Sequence, residues 1–314
     1  MRAMRIHEYG AASVIRADDV PRPVPGPGEV LIQVAATSFN PSDLGLRRGV
    51  LRSLFPLDLP YTLGAEVAGT VVAVGGAAPV TSGNGRQIAV GDRVVGRLDG
   101  GGAAAEYVTT PADALVAAPT GVPLAHAAAI PVAGVTAWQA VFEHAHIRAG
   151  QRVLVNGAGG GVGGFAVQLA RHAGARVVAT AAPRSAEVVR RLGAEQIVDY
   201  ESTPLADALD EPVDALLNLV VVRAGEAAVL PSLVRPGGVL VSVTVPVRLP
   251  AGSPVTATHF VARNEPRHLA DLVRLVDAGS VRVDVSATRP LADLAAVHRD
   301  AEAGRTRGKV VLVP

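Results

Sequence analysis

A run of glycines between residues 157 and 164 is the part of this sequence best suited to chemistry. It follows a strand predicted over residues 153–156 and precedes an apolar helix predicted over residues 162–173. Glycine permits a tight turn and lets the backbone approach a diphosphate, while the first amide groups of the helix face its negative charge. The pattern therefore predicts a dinucleotide site. Its predicted contacts are Gly157, Ala158, Gly159, Gly160, Gly161, Val162 and Gly163.

Two registers of the glycine template fit this turn. One uses residues 157, 160 and 163, the other uses residues 159, 161 and 164, and we favour the first. A tight strand-to-helix turn without a ligand is the alternative interpretation. It is the less favoured one because strand, glycines, helix and a second strand follow each other in order.

The end of the second predicted strand, residues 176–180, indicates which coenzyme is bound. NAD sites usually carry an acidic residue there that bonds the ribose diol. This chain has Thr180 and then Ala-Ala-Pro-Arg184-Ser185, with no acid before Glu187. The forked guanidinium of Arg184, helped by Ser185, could hold a 2′-phosphate, so NADP(H) is predicted. A solvated loop position for Arg184 is the alternative.

Composition excludes several classes of function. The 314 residues carry 29 basic and 28 acidic side chains, a formal net charge of +1, which gives no basis for nucleic acid or an anionic membrane as partner. There is no cysteine, so disulfides and thiolate nucleophiles are absent. No apolar stretch approaches the roughly 20 residues that span a bilayer, and the first ten residues lack the apolar core of a secretory signal. We expect a cytoplasmic protein whose partner is a small-molecule substrate.

The elements that must position the glycine turn follow from periodicity. Strands and helices alternate between residues 153 and 245, which predicts βαβ units and a doubly wound parallel sheet of the Rossmann kind. One of these strands is predicted over residues 213–222, and a later strand is expected near residues 281–285. The first hundred or so residues are instead short strands separated by Gly and Pro turns, typical of a β-rich domain. The fold class predicted is therefore α/β, with two domains.

Several short motifs occur in the order found in one enzyme superfamily. They are Asn40-Pro41-Ser42-Asp43, Leu63-Gly64-Ala65-Glu66, Val90-Gly91-Asp92-Arg93, the glycine turn, Leu192-Gly193-Ala194 and Gly308-Lys309-Val310. With them the chain resembles, nearly end to end, the zinc-independent, zeta-crystallin-like quinone oxidoreductase branch of the medium-chain dehydrogenase/reductase superfamily. The resemblance implies a GroES-like substrate domain split into residues 1–120 and 280–314, with the Rossmann domain, residues 121–279, inserted between. It also implies a homodimer joined through the strand near residues 256–261.

The resemblance gives two residues a catalytic role. Asn40 would lie near the nicotinamide and could donate to the oxygen of the acceptor, although a turn residue before Pro41 is an equal alternative. Tyr61 is a candidate proton donor, and water is another. Many relatives carry a tyrosine two residues after Asp43, where this chain has Gly45, a departure expected to open the substrate pocket.

Further coenzyme contacts are implied at five positions. Thr136 matches a family position near the phosphates and nicotinamide, with a plain helix residue as its alternative, and Tyr200 matches one against the 2′-phosphate. Asn218 and Val243 end strands where open α/β sheets place ligands. Lys309, the only lysine, could reach the coenzyme or be a surface charge.

Zinc chemistry is not expected. The zinc enzymes of the superfamily use an early cysteine and a Gly-His-Glu, where this chain has Asn40 and Gly64-Ala65-Glu66. Only His144 and His146 cluster among eight histidines, whereas catalytic zinc needs about three protein ligands. No metal site is therefore predicted.

The predicted function is hydride transfer from NADPH to a quinone or an α,β-unsaturated carbonyl. An alternative within enzymes is an enoyl-thioester reductase or an enoyl or ketone reductase of a biosynthetic pathway, mildly favoured by the aromatic content of 3%. An alternative of another class is a non-catalytic NADPH-binding protein.

Overall fold

The chain folds into two compact units in a computed structural model, which describes the backbone of residues 1–314 and every side chain except that of residue 224. The first unit comprises Met1–Val132, Asn264–Gly279 and Val283–Pro314. The second comprises Ala133–Arg263 and Ser280–Arg282. None of the helices among the described residues is long and apolar enough to cross a bilayer.

The first 127 residues contain ten strands and two α-helices. In chain order these are β1 (Arg2–Ile6), β2 (Ile15–Asp19), β3 (Glu29–Ser38), α1 (Pro41–Arg47), β4 (Tyr61–Thr62), β5 (Glu66–Val74), β6 (Val80–Thr81), β7 (Gln87–Ile88), β8 (Arg93–Arg97), β9 (Tyr107–Pro111), β10 (Leu115–Ala117) and α2 (Leu124–Ala127).

The middle of the chain alternates helices with strands. The elements are α3 (Pro131–Trp138), a π-helix (Gln139–His144), β11 (Arg152–Asn156), α4 (Gly161–His172), β12 (Arg176–Thr180), α5 (Pro183–Leu192), β13 (Gln196–Val198), β14 (Val213–Asn218), α6 (Ala224–Val229), β15 (Val234–Ser242) and β16 (Thr256–His259). The last elements are α7 (Pro266–Asp277), β17 (Val285–Pro290), α8 (Leu294–Glu302) and β18 (Lys309–Val313).

A seven-stranded sheet organises the first unit, in the order β10-β8-β5-β3-β18-β17, with β9 also paired to β3. The C-terminal strand β18 runs antiparallel to β3 and pairs Val311 with Ser38. This pairing brings the two ends of the chain together because β3 leads directly into Asn40 and β18 begins at Lys309. Apolar β-branched residues at alternate positions form the core beneath the sheet.

The second unit is built on a six-stranded parallel sheet in the order β13-β12-β11-β14-β15-β16. This is the strand order of a Rossmann fold. Its central strand β11 is buried along its whole length, as expected for a sheet with helices on both faces. The predicted α/β fold with a parallel sheet and a β-rich domain is confirmed.

Helix α7 belongs to the first unit, whereas the sequence prediction assigned residues 264–279 to the Rossmann domain. The Asp277 carboxylate at the end of α7 accepts hydrogen bonds from the backbone of Thr120 and Gly121 at 2.7 and 2.9 Å. These long-range bonds hold the helix against the segment that leaves β10. They cannot be seen in local periodicity.

Two predicted strands have different bounds in the structure. The strand expected near residues 281–285 begins only at Val285, because the Gln168 side chain bonds both the N–H and the carbonyl of Arg282 and fixes that residue on α4. The strand predicted over residues 213–222 ends at Asn218. There the Asn218 amide donates to Val220 O at 3.1 Å and turns the chain out of the sheet.

Candidate coenzyme and catalytic sites

The glycine turn has the geometry that the first register requires. Gly157 adopts a φ of +95°, in the left-handed region that favours glycine. A Cβ on Gly163 would lie 2.1 Å from Gly157 O, whereas a Cβ on Gly164 would meet nothing closer than Leu192 Cδ1 at 3.3 Å. Residues 157 and 163 are therefore the positions where the backbone tolerates no side chain.

The same turn fits a diphosphate. Gly160 precedes α4 in extended conformation, so the first amide groups of that helix, which have no acceptor inside it, point out of the turn. A Cβ on Gly159 would lie 2.5 Å from Ser185 Oγ, which shows how closely α5 approaches this turn. The cradle is lined by backbone N–H groups and no carboxylate, which is the donor set that a diphosphate needs.

A row of buried polar side chains crosses the carboxyl ends of four neighbouring strands. Thr180 Oγ1 donates to Asn156 Oδ1 at 2.8 Å, and Asn156 Nδ2 donates to Asn218 Oδ1 at 2.9 Å. Asn218 Nδ2 lies 3.2 Å from Ser242 Oγ and 3.3 Å from Thr244 Oγ1. Thr180 also accepts the Gly157 N–H at 2.8 Å, so the row ties the glycine turn to the ends of β12, β14 and β15.

Sequence reasoning named Thr180 and Asn218 but missed Asn156, Ser242 and Thr244. The signal was present, since each of four apolar strands ends in Asn, Thr or Ser. Asn218 is fully buried, and both polar atoms of its amide are used within the row. Its predicted contact with the coenzyme stays a prediction, and the structure shows it holding neighbouring loops.

Of the apolar residues that follow β14, Val220 packs against the glycine turn and Val221 is exposed. Val220 Cγ1 lies 2.3 Å from where a Cβ on Gly157 would stand, so Val220 covers the first glycine of the turn. Val221, in contrast, is exposed. Val243, predicted as a contact, is half-buried, and its N–H donates to Asn218 O at 3.1 Å. Thr136 is buried on α3 in this unit.

The residues predicted to bind the 2′-phosphate follow β12 and β13. Arg184 and Ser185 are in the first turn of α5, Ser185 buried and Arg184 exposed. Arg184 Nη1 lies 3.8 Å from Glu201 Oε1, and Tyr200, the preceding residue, is half exposed. The structure thus brings a guanidinium, a phenol and a carboxylate to one edge of the sheet; the carboxylate was not foreseen.

A buried ion pair lies at the centre of the first unit. Lys309 Nζ donates to Glu66 Oε1 at 2.8 Å, to Asn40 Oδ1 at 2.7 Å and to Phe39 O at 3.1 Å. Both charged side chains are at most 3% exposed. Of the two interpretations of Lys309, the surface charge is wrong, because pairing of β18 with β3 buries it. Coenzyme contact stays a prediction, and all three ammonium protons have protein acceptors.

Glu66 organises the polar groups around it. Its carboxylate accepts from Asn40 Nδ2 at 2.7 Å, from Ser38 Oγ, and from the Val132 N–H at 2.8 Å. The Asn40 amide is therefore held from both sides, its oxygen by Lys309 and its nitrogen by Glu66. The second N–H of Asn40 has only a long contact, 3.5 Å, to Ser38 O, which leaves it as a possible donor.

Asp43, which is bonded to Asn40, and Tyr61 both have raised pKa values. Burial raises the pKa of Asp43 to about 7, opposed by its hydrogen bond from the Asn40 N–H at 2.9 Å and by the positive charge of Lys309. Burial, and then the charge of Asp43, raises the pKa of Tyr61 to about 12. The Tyr61 phenol therefore stays protonated at neutral pH and is a poor acid.

Gly45 does not open a pocket, contrary to expectation. A Cβ at this position would lie 2.9 Å from Leu51 Cδ1, so the side chain of Leu51 already fills the space beside the glycine. The following segment carries exposed apolar side chains, namely Val50, Leu54, Phe55 and Leu59. These side chains are aliphatic except for Phe55, and they follow the position where many relatives carry a tyrosine.

Metal ligands are not assembled among the side chains that the structure describes: no group of three or more His, Cys, Asp or Glu could hold an ion. Glu66, the remnant of the Gly-His-Glu motif, uses its carboxylate on Lys309, Asn40 and Ser38. Zinc independence stays a prediction that rests on the residue types at positions 40 and 65.

Comparison with known proteins connects these features to a family. Residues 26–120 match the family model described as an alcohol dehydrogenase GroES-like domain, and residues 192–312 match that of a zinc-binding dehydrogenase. The chloroplast envelope quinone oxidoreductase homolog of Arabidopsis thaliana is 32% identical over 332 residues, an alignment that covers 100% of this chain and 98% of the relative. The chain belongs to the quinone oxidoreductase branch of the medium-chain dehydrogenase/reductase superfamily.

Two further members show the range of this superfamily. A mycobacterial protein solved in complex with NADPH superposes with a TM-score of 0.86 at 30% identity, with 100% of both chains covered. A trans-enoyl reductase of Aspergillus terreus is 32% identical over 228 residues, which cover 70% of this chain and 62% of that protein. Quinone and enoyl reduction are therefore both found among medium-chain dehydrogenase/reductase relatives of this chain.

Proposed function

We propose that this protein is an NADPH-dependent, zinc-independent oxidoreductase that reduces a quinone or an α,β-unsaturated carbonyl. The observation that carries the proposal is the glycine cradle at the end of β11, with Arg184 and no acid directly after β12. The mycobacterial relative bound to NADPH supports the choice of coenzyme. When bound, NADPH would supply a hydride from its nicotinamide ring.

The chain's own contribution to the reaction is proposed to be orientation and hydrogen bonding. Reduction of a conjugated acceptor places negative charge on its oxygen, and a preorganised donor stabilises that charge. Asn40 is suited to this because Lys309 and Glu66 fix the plane of its amide while one N–H keeps only a long contact. Tyr61 could donate a hydrogen bond, whereas its pKa of about 12 favours water as the proton source.

The second candidate is reduction of an aliphatic enoyl thioester. It is favoured by Leu51, which fills the space beside Gly45, and by the exposed aliphatic side chains of Val50, Leu54 and Leu59 in the same segment. Aliphatic side chains suit an acyl chain better than a flat ring that needs stacking partners. The trans-enoyl reductase relative is consistent with this candidate.

One experiment separates these candidates from a non-catalytic coenzyme-binding protein. Purified protein is mixed with NADPH and, in turn, with a benzoquinone, a medium-chain enone and crotonyl-CoA, and the loss of NADPH absorbance is followed. Turnover of at least one acceptor is expected. Tight NADPH binding without turnover of any acceptor would favour the non-catalytic alternative, and no binding of NADPH or NADH would overturn the proposal.

We also propose that the protein is a cytoplasmic homodimer. β16 is the last strand of the parallel sheet, and a second copy could extend the sheet at this edge to form a homodimer. Light scattering on the purified chain tests the dimer, with a monomer mass as the contrary result. A cytoplasmic location is proposed with it and is tested by cell fractionation.

A further inference from the structure

Arg184 immediately precedes Ser185, the residue of α5 that packs against the glycine turn. It is in the first turn of α5, which follows β12, where Rossmann folds recognise the adenosine ribose. The next residue, Ser185, is buried, and its Oγ lies 2.5 Å from where a Cβ on Gly159 would stand. The Ser185 side chain therefore packs against the cradle, and the proposed function places the 2′-phosphate beside the neighbouring residue, Arg184.

A carboxylate already lies next to this guanidinium. Glu201 Oε1 is 3.8 Å from Arg184 Nη1, and both side chains are about half exposed. The turn that carries Glu201 is well defined, because the Asp199 carboxylate accepts from the Glu201 N–H at 3.0 Å and from Ser202 Oγ at 3.1 Å. Asp199 is thus used to hold the turn, while the carboxylate of Glu201 faces Arg184.

We propose that Glu201 lowers the preference of this protein for NADPH over NADH by competing with the 2′-phosphate for Arg184. This rests on the proposed function, since it concerns the coenzyme assigned there. An exposed ion pair contributes little stability. A phosphate monoester carries more negative charge than a carboxylate and also bonds a guanidinium bidentately, so it can replace Glu201 on Arg184. Glu201 nevertheless stays a like charge near the phosphate, which disfavours NADPH in particular.

For NADH, the Glu201 carboxylate is a favourable neighbour. Its ribose has two hydroxyl groups and no phosphate, and a carboxylate accepts hydrogen bonds from such a diol. The pair Arg184–Glu201 therefore provides a cation for one coenzyme and an acceptor for the other. The protein should bind both, with a smaller difference in affinity than Arg184 alone would produce.

The test measures dissociation constants of NADPH and NADH for the full-length chain by fluorescence titration, without any acceptor substrate. In E201Q, NADPH binding is expected to tighten about three- to tenfold at low ionic strength, while NADH binding stays equal or weakens. Adenosine 2′,5′-bisphosphate and ADP serve as probes of the adenosine end alone. In E201Q the first should bind more tightly than to the wild type, and ADP should bind equally or more weakly. The effect should shrink at high salt because the carboxylate and phosphate are exposed.

The matched control is E195Q. Glu195 is exposed, directly precedes β13, and its N–H donates to Val177 O near the start of β12. It therefore lies at the amino end of the parallel strands, whereas Arg184 follows the carboxyl end of β12, so this variant removes an equal charge away from Arg184. Its ratio of NADPH to NADH affinity should not change. An unchanged ratio in E201Q, or an equal shift in E195Q, would overturn this inference while both coenzymes still bind. Failure of the wild-type protein to bind either coenzyme would instead refute the proposed function.

Discussion

Single side chains in this protein owe their roles to what surrounds them, and Lys309 is the clearest case. Its ammonium bonds Glu66, Asn40 and Phe39 inside the first unit. Removal of one partner from a buried ion pair leaves an uncompensated charge, which costs far more than removal of both. The pair therefore makes the geometry of Asn40 depend on residues at opposite ends of the chain.

Substitution of Lys309 tests this dependence. K309M should lower the free energy of unfolding by about 3–5 kcal/mol, because Glu66 would stay buried without its cation. Urea denaturation followed by circular dichroism measures the loss. The double variant E66Q/K309M should recover part of it, and two additive single effects would contradict the coupling of the two residues.

Arg184 is the single residue to which we assign the proposed preference for NADPH over NADH. R184A should weaken NADPH binding about tenfold, the equivalent of one charge-assisted hydrogen bond, and NADH binding much less. Fluorescence titration of each coenzyme measures the difference. R190A, an exposed change in the last turn of the same helix, is the control; equal losses for NADPH and NADH in R184A would count against the assignment.

At the scale of elements, the junction of β11 and α4 forms the proposed coenzyme cradle. The helix can approach the strand only because residues 157 and 163 carry no side chain. The polar row from Thr180 to Thr244 then holds the neighbouring strand ends in register with this turn. Backbone geometry and side-chain hydrogen bonds together keep the cradle in shape.

Two glycine variants distinguish the registers of the turn. In G163A the new methyl group would meet Gly157 O at 2.1 Å and Ala158 Cα at 2.6 Å, so backbone must move. We expect the thermal stabilisation by NADPH to disappear. In G164A the nearest atom is a flexible leucine methyl at 3.3 Å, and the stabilisation should persist; the reverse pattern would support the second register.

On the scale of the whole molecule, net stability depends on pH through a buried histidine. His298 is fully buried among the first unit's apolar residues, with its ring 5.1 Å from that of Phe39. Burial, and then the charge of Arg47, lowers its pKa to about 3. In the unfolded chain this imidazole binds a proton near pH 6.5, whereas in the folded protein it stays neutral down to about pH 3. The free energy of unfolding therefore has its full value above pH 6.5 and decreases as the pH falls toward 3.

H298L isolates this effect from other groups. Wild type should lose roughly 2–4 kcal/mol more than H298L between pH 7 and pH 4, as measured by urea unfolding at each pH. Asp43, whose pKa is raised to about 7, acts in the opposite sense, destabilising the fold as pH rises from 4 to 7, but it is common to both proteins. Parallel curves for the two proteins would contradict a buried neutral His298.

Much of this architecture follows from local pattern. The glycine turn, the alternation around it and the absence of an acid after β12 are sequential features, so the parallel sheet could be predicted from periodicity. The unit to which α7 belongs and the start of β17 could not be predicted, because Asp277 and Gln168 bind backbone groups more than a hundred residues away. Hydrogen bonds of that range leave no periodic signal.

The sequence by itself determined the family, the fold class and the residue types of the coenzyme cradle, because these depend on spacing along one stretch of chain. Only the tertiary structure decided that Lys309 is buried against Glu66, that Leu51 occupies the space beside Gly45, and that Glu201 faces Arg184. The contact between Leu51 and Gly45 spans only six residues, whereas the other two join separate parts of the chain. Their energies depend on distance and burial in space, which the order of residues does not specify.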